Sequence, residues 1–138
     1  MRQQARADEL ARVPLFARCS KRQLRRLAAE AHVEQLEPGE RLVTMGSPSR
    51  QLYVILAGTA VIEHDGVEVD RVIAGDVVGE LGLLLDEPRN ADVVARSALE
   101  VLGLDRAGLQ RTLDAVPGMG WTLLTGVAER LARAELRR

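Results

Sequence analysis

The chain reads as a mainly β domain with flanking α-helices: an antiparallel β-roll of jelly-roll type, preceded by N-terminal helices, interrupted by one short helix and closed by two C-terminal helices. Three observations predict this. Apolar residues recur at helical spacing only near the two ends, the hydrophobic period falls toward two from Val33 onward, and Gly or Pro turn signals punctuate that central stretch. At 138 residues and 46% hydrophobic content the chain suffices for one domain with an adequate core. It divides into a helical segment 1–32, a roll 33–104 and a closing helical segment 105–138.

At the N-terminal end, Asp8 to Val13 predict a short helix that Pro14 stops, and Leu15 and Phe16 then offer an apolar anchor. Ser20 and Gln23 have the spacing of a capping box and open a second helix. Its Leu24, Leu27, Ala28 and Ala31 share one face, while Arg22, Arg25 and Arg26 occupy the other as a solvated face.

In the central stretch, Pro38-Gly39, Gly46-Ser47-Pro48, Gly58, Asp65-Gly66 and Gly75-Asp76 separate short runs of valine, leucine and isoleucine. Tyr53-Val54-Ile55-Leu56 is apolar on both faces, which predicts a buried strand. Asp65-Gly66 between Val61-Ile62-Glu63 and Val67-Glu68-Val69 is the strongest hairpin signal in the chain. The last two strands fall at Ala91 to Ala95 and Leu99 to Leu104.

Asp105 caps a helix carrying Leu109, Leu113 and Val116, which Pro117-Gly118 ends. A last helix begins near Gly120, with Trp121, Leu124, Val127, Ala128 and Leu131 at helical spacing and Glu129, Arg130, Arg133 and Glu135 on its other faces. It runs to Arg137-Arg138 with no terminal glycine or proline, which fits either a helix cut short there or one that continues into another domain.

Composition narrows the function classes. A formal net charge of −1 and a pI near 6.1 provide no global basic field, so no direct nucleic-acid binding is expected of this chain. Nowhere do about 18 apolar residues run uninterrupted, and the charged N-terminus lacks the apolar run of a signal peptide. Cys19 is the only cysteine, which suits a reducing compartment, and the cytoplasm is the default location. Basic residues are almost all arginine, Lys21 being the one lysine, as a GC-rich bacterial genome would encode.

Enzyme classes fit poorly. A metal-dependent jelly-roll enzyme needs several His or carboxylate ligands, yet the chain has only His32 and His64, each expected at the surface. Neither histidine has a context tying it to a nucleophile. No metal site and no cofactor are expected.

The stretch Gly79 to Val93 carries the chemistry. Gly79 and Gly82 remove side chains where backbone would approach a ligand, and Leu81, Leu83 and Leu84 are expected to hold a short helix to the core. Glu80 supplies an acceptor for a sugar hydroxyl, and Arg89 supplies a planar cation for a phosphate. An acid and a base around a short helix start suit a sugar phosphate.

This stretch resembles the phosphate-binding cassette of the cyclic nucleotide-binding domain family, and the order of elements along most of the chain is similar to that family as well. The resemblance implies that Glu80 binds the ribose 2′-hydroxyl and Arg89 the cyclic phosphate, that Gly79, Leu81 and Gly82 turn backbone N–H groups toward that phosphate, and that Ala91 is the small residue letting the chain pass. Asn90 departs from the family's usual Ala, Ser or Thr, which bears on base selectivity.

The implied function is a cyclic nucleotide-binding sensor, cyclic AMP favoured over cyclic GMP, with Leu124, Val127, Arg130 and Leu131 of the last helix as a lid over the base. Signalling would leave through that helix, to a homodimer partner or an output domain. Two alternatives stand beside it: the ligand-sensing fragment of a larger transcription factor, channel or transporter, and a degenerate interaction domain that binds nothing. Intact Glu80 and Arg89 speak against the last, since a lost pocket has no reason to keep both.

Overall fold

In the computed structural model, residues 1–48 and 50–136 are described. Helix α1 (Gln3–Leu10), a 3-10 turn (Pro14–Phe16) and helix α2 (Lys21–Ala28) precede the strands. Strands β1 (His32–Leu36), β2 (Arg41–Val43), β3 (Gln51–Ala57), β4 (Ala60–His64), β5 (Val67–Val72) and β6 (Val77–Val78) follow. A second 3-10 turn (Glu80–Leu83) separates β6 from β7 (Asp92–Ala95) and β8 (Leu99–Asp105), and helices α3 (Arg106–Ala115) and α4 (Met119–Leu136) close the chain.

The strands form two antiparallel sheets of four, in the orders β1-β8-β3-β6 and β2-β7-β4-β5. Strands β3 and β8 are buried on both faces, which is why Tyr53 to Leu56 carry no polar alternation. The two-residue period splits them between two cores: Leu52, Val54, Leu102 and Leu104 meet Leu10, Phe16 and Leu27 from the helices. Tyr53, Ile55, Leu99 and Val101 instead meet Val43, Ala60, Val93 and Ala95 of the facing sheet. The roll is thus a sandwich with helices on one outer side.

Local chemistry sets several joints. The Ser20 hydroxyl accepts from Gln23 N at 3.1 Å and Gln23 Oε1 accepts from Ser20 N at 2.8 Å, completing the capping box of α2. Asp105 accepts from Gly108 N at 2.7 Å and starts α3. In the β4–β5 hairpin, Asp65 at φ 51° and Gly66 at φ 80° both adopt the left-handed region, as a tight two-residue turn requires.

Two helices differ from the sequence-based expectation. Helix α1 lies earlier than Asp8 to Val13: it spans Gln3–Leu10, buries Ala7 and Leu10, and ends before Val13, whose backbone is extended because Pro14 follows. In α4 the inner face is Met119, Leu123 and Gly126; Trp121, Leu124, Val127, Ala128 and Leu131 are exposed. Gly126 faces Arg18 and Leu15, where a Cβ would lie 3.6 Å from Arg18 Cγ and 3.9 Å from Leu15 O, in ordinary van der Waals contact. The terminal Arg137 and Arg138 lie outside the described residues.

Candidate functional site

The site is built where β6 runs out. After Val78 the chain reverses at Gly79, whose φ of 80° suits glycine. A Cβ at Gly79 would strike the Arg89 guanidinium and lie 2.8 Å from Gln51 O, so the glycine also makes room for the arginine. The turn that follows is one 3-10 turn beginning at Glu80, shorter than the helix expected from Leu81 onward. Its dipole is correspondingly small.

Of the three leucines expected to anchor the turn only Leu83 enters the core, at 1% exposure, while Leu81 and Leu84 face outward at 61% and 49%. A turn of four residues has one inward position, so the expectation that all three anchor it does not hold.

Arg89 is fixed from both its backbone and its side chain. Its N–H donates to Ser47 O at 2.9 Å, its carbonyl accepts from Gly46 N at 2.8 Å, and its Nη2 donates to the Gln51 carbonyl. An isolated bridge between Pro48 and Pro88 holds the same two loops together. Burial pushes the Arg89 pKa down, opposed by the nearby Tyr53 phenol, and the group stays cationic at neutral pH.

Glu80 and Arg89 border one cavity of about 300 Å³, together with Gly79, Leu81, Gly82 and Asn90. Leu85, Glu87 and Pro88 complete its rim. Ala91 is half-buried just outside this lining. Arg89 also borders a second cavity of about 240 Å³ with Thr44, Ser47 and Tyr53, so one guanidinium is shared by two recesses.

The last helix reaches the same place. Arg130 Nη1 donates to Glu80 Oε1 at 2.7 Å, with the Glu80 side chain 16% exposed. Beside this pair, Val127 and Leu131 face Leu15, Leu81 and Leu84 across a groove of about 310 Å³. Three of the four expected lid residues therefore sit next to the cassette. Leu124 does not border the groove and is 58% exposed.

Arg106 was not marked by the sequence. Its Nε donates to Leu83 O at 2.9 Å and its Nη2 to Leu85 O at 3.1 Å, across 20-odd residues of chain. Nothing in the local pattern around Arg106 signals this, because an arginine at a helix start has the look of an ordinary surface residue.

Away from the cassette the chemistry is sparse. His32 pairs with Glu34 at 3.0 Å and His64 lies 3.4 Å from Asp65, both at the surface. Among the described residues no group of three or more His, Cys, Asp or Glu side chains converges as a metal site would. Burial pushes the Cys19 thiol up to about 11, which keeps it protonated and unreactive. No helix of the described residues is long and apolar enough to cross a membrane.

A family model described as cyclic nucleotide-binding domain matches residues 33–115, more than half of the chain and all of the cassette. The chain belongs to the cyclic nucleotide-binding domain family. A similar solved structure is the N-terminal domain of a transcriptional regulator from Streptomyces coelicolor A3(2), 32% identical over 92% of this chain and 94% of that one, with a TM-score of 0.83. A cyclic nucleotide-binding-like protein from Brucella abortus is 30% identical over 80% of this chain and 98% of its own, with a TM-score of 0.74. The regulatory domain of Toxoplasma gondii PKA, solved with cAMP, is 25% identical over 96% of this chain and 50% of its own, with a TM-score of 0.73. The matched family is one of ligand binding and regulation, with no catalytic family indicated. Helix α4 lies beyond the matched residues of this cyclic nucleotide-binding domain.

Proposed function

We propose that residues 1–138 form one cyclic nucleotide-sensing domain that binds cyclic AMP in preference to cyclic GMP and signals through α4. The observation that carries this is the single cavity bordered at once by Glu80, Arg89 and the glycines of the Gly79 turn. A cyclic nucleotide presents a singly charged phosphate and a ribose hydroxyl on one rigid ring system, and these residues supply a planar cation and a carboxylate acceptor for them. In this assignment Arg89 and the backbone N–H groups of Gly79 and Leu81 hold the phosphate, Glu80 takes the 2′-hydroxyl, and Asn90 lies near enough to influence the base; the Gly82 N–H, expected to join them, donates to Gly79 O at 2.9 Å instead. Ala91 leaves room for the chain beside Arg89.

Binding without turnover is the reading these residues support, because the phosphate is placed on an arginine and, among the described residues, no three His, Cys, Asp or Glu side chains converge as a metal site would. The Toxoplasma neighbour's cAMP supports the choice of adenine nucleotide. The lone Cys19 fits a reducing compartment such as the bacterial cytoplasm.

Helix α4 is the output. Val127, Arg130 and Leu131 lie against the cassette, and Arg130 already holds Glu80, so a ribose that engages Glu80 acts on the helix through that pair. Trp121, at 74% exposure, and Leu124, at 58%, leave an apolar stripe open for a second copy of the chain or an output domain.

Calorimetric titration with cyclic AMP and cyclic GMP tests the proposal. A saturable heat with cyclic AMP, displaced less well by cyclic GMP, is expected. Absence of binding by both would leave the degenerate interaction domain as the better description.

A further inference from the structure

Arg106 stands where a cation is electrostatically misplaced. It is the first residue of α3, directly after the cap Asp105, and the helix dipole disfavours positive charge at that end. Local rules broken in this way usually mark a compensating demand elsewhere. The demand is visible in where the side chain goes.

The guanidinium turns away from α3 and caps the cassette turn from behind. Nε donates to Leu83 O at 2.9 Å, and Nη2 donates to Leu85 O at 3.1 Å and Gly82 O at 3.4 Å. Asp86 lies 3.8 Å from Nη1 and also 3.6 Å from Arg50 Nη2, while the Arg106 N–H donates to Arg50 O at 2.8 Å. Carbonyls at the end of so short a turn have no donors within it. Arg106 supplies them with a forked cation that a lysine could not imitate.

We propose that Arg106 is a positioning residue of the nucleotide site. By holding the carbonyl groups of Gly82, Leu83 and Leu85 it fixes the C-terminal end of the Glu80–Leu83 turn, and with it the backbone that borders the phosphate. It also ties that turn to the start of α3, which makes α3 a second element that senses occupancy. This rests on the cavity being a cyclic nucleotide site.

The experiment compares the wild-type chain with Arg106→Ala and Arg106→Lys by calorimetry with cyclic AMP and its 2′-deoxy analogue, and by amide hydrogen exchange. Arg106→Ala should weaken binding about tenfold or more, as expected when held carbonyls lose their donors. The loss should be the same for both nucleotides, because Arg106 acts on the phosphate-facing backbone and not on the ribose. Arg106→Lys should recover only part of it. Exchange should rise at the Leu84 and Leu85 amides while β3 and β8 keep their protection, which separates positioning from general destabilisation. Wild-type affinity in Arg106→Ala, or a rise in exchange spread evenly over the strands, overturns the proposal. A wild-type chain that binds neither nucleotide overturns the cavity assignment first, and this inference with it.

Discussion

Arg130 of α4 and Glu80 of the cassette are joined by a 2.7 Å hydrogen-bonded ion pair, although fifty residues separate them in the chain. One Glu80 oxygen is thereby engaged before any ligand arrives. Helix α4 is also tied down by Glu129, which accepts from Arg18; the hydrogen bond to Arg18 holds the Glu129 carboxyl below its ordinary value. Of these two ion pairs only the one to Glu80 reaches the cassette, so under the proposed function it is the polar link between a bound nucleotide and the helix.

Hydrogen exchange over Leu124 to Arg133 should therefore change on saturation with cyclic AMP in the wild-type chain, while the strands hardly respond. In Arg130→Ala that ligand-dependent change should vanish even where binding persists. Identical exchange of this segment with and without nucleotide, alongside protection of Gly79 to Ala91, would show binding without a helical latch.

The ribose assignment is checked by Glu80→Gln, which keeps shape and weakens the acceptor. Its affinity cost should be much smaller against a 2′-deoxy cyclic nucleotide than against the natural one, in the manner of a double-mutant cycle. Equal costs would assign Glu80 to holding Arg130 alone.

Arg89→Ala should lower affinity by about 2–5 kcal/mol, the loss expected when a buried anion is stripped of its charged partner. Arg89→Lys should also bind poorly because the fork is lost. Gly79→Ala should mimic both defects and add instability of about 1 kcal/mol or more, since alanine is strained at φ 80° and its Cβ meets the Arg89 guanidinium. Calorimetry and thermal melts of the three variants separate lost binding from lost fold.

Asn90 lies on the cavity wall with both a donor and an acceptor to offer. Competition of cyclic AMP against cyclic GMP is expected to favour cyclic AMP in the wild type and to change little in Asn90→Ala. A preference for cyclic GMP that disappears in Asn90→Ala would reverse the selectivity assignment.

The open stripe of α4 should govern association. Leu124→Glu places a charge on it without touching the cassette groove, so sedimentation should show any self-association lost while nucleotide affinity stays. Fluorescence of Trp121, the only tryptophan, should shift to the blue as wild-type protein associates. A concentration-independent monomer with unshifted fluorescence would assign the stripe to an output domain.

What the sequence by itself determined is whatever short-range chemistry controls. Ser20 with Gln23, Asp65 with Gly66, and Asp105 with Gly108 each act within a few residues, so the cap, the hairpin and the start of α3 could be placed from residue types alone. The apolar run Tyr53 to Leu56 likewise marked β3 as buried on both faces, and the cassette carried Glu80 and Arg89 on a recognisable spacing. Tertiary structure decided the rest. Helix α4 has two apolar stripes, and periodicity cannot say which is covered; only the packing of Met119, Leu123 and Gly126 against the Pro14–Phe16 region turned Trp121 and Leu124 outward. Leu81 and Leu84 were misplaced because a single 3-10 turn buries one side chain, a fact set by how β6 ends and not by composition. Arg130 and Arg106 meet their cassette partners across 50 and more than 20 residues of chain, and contacts of that range exist only once the two cores have formed and brought α3 and α4 alongside the roll.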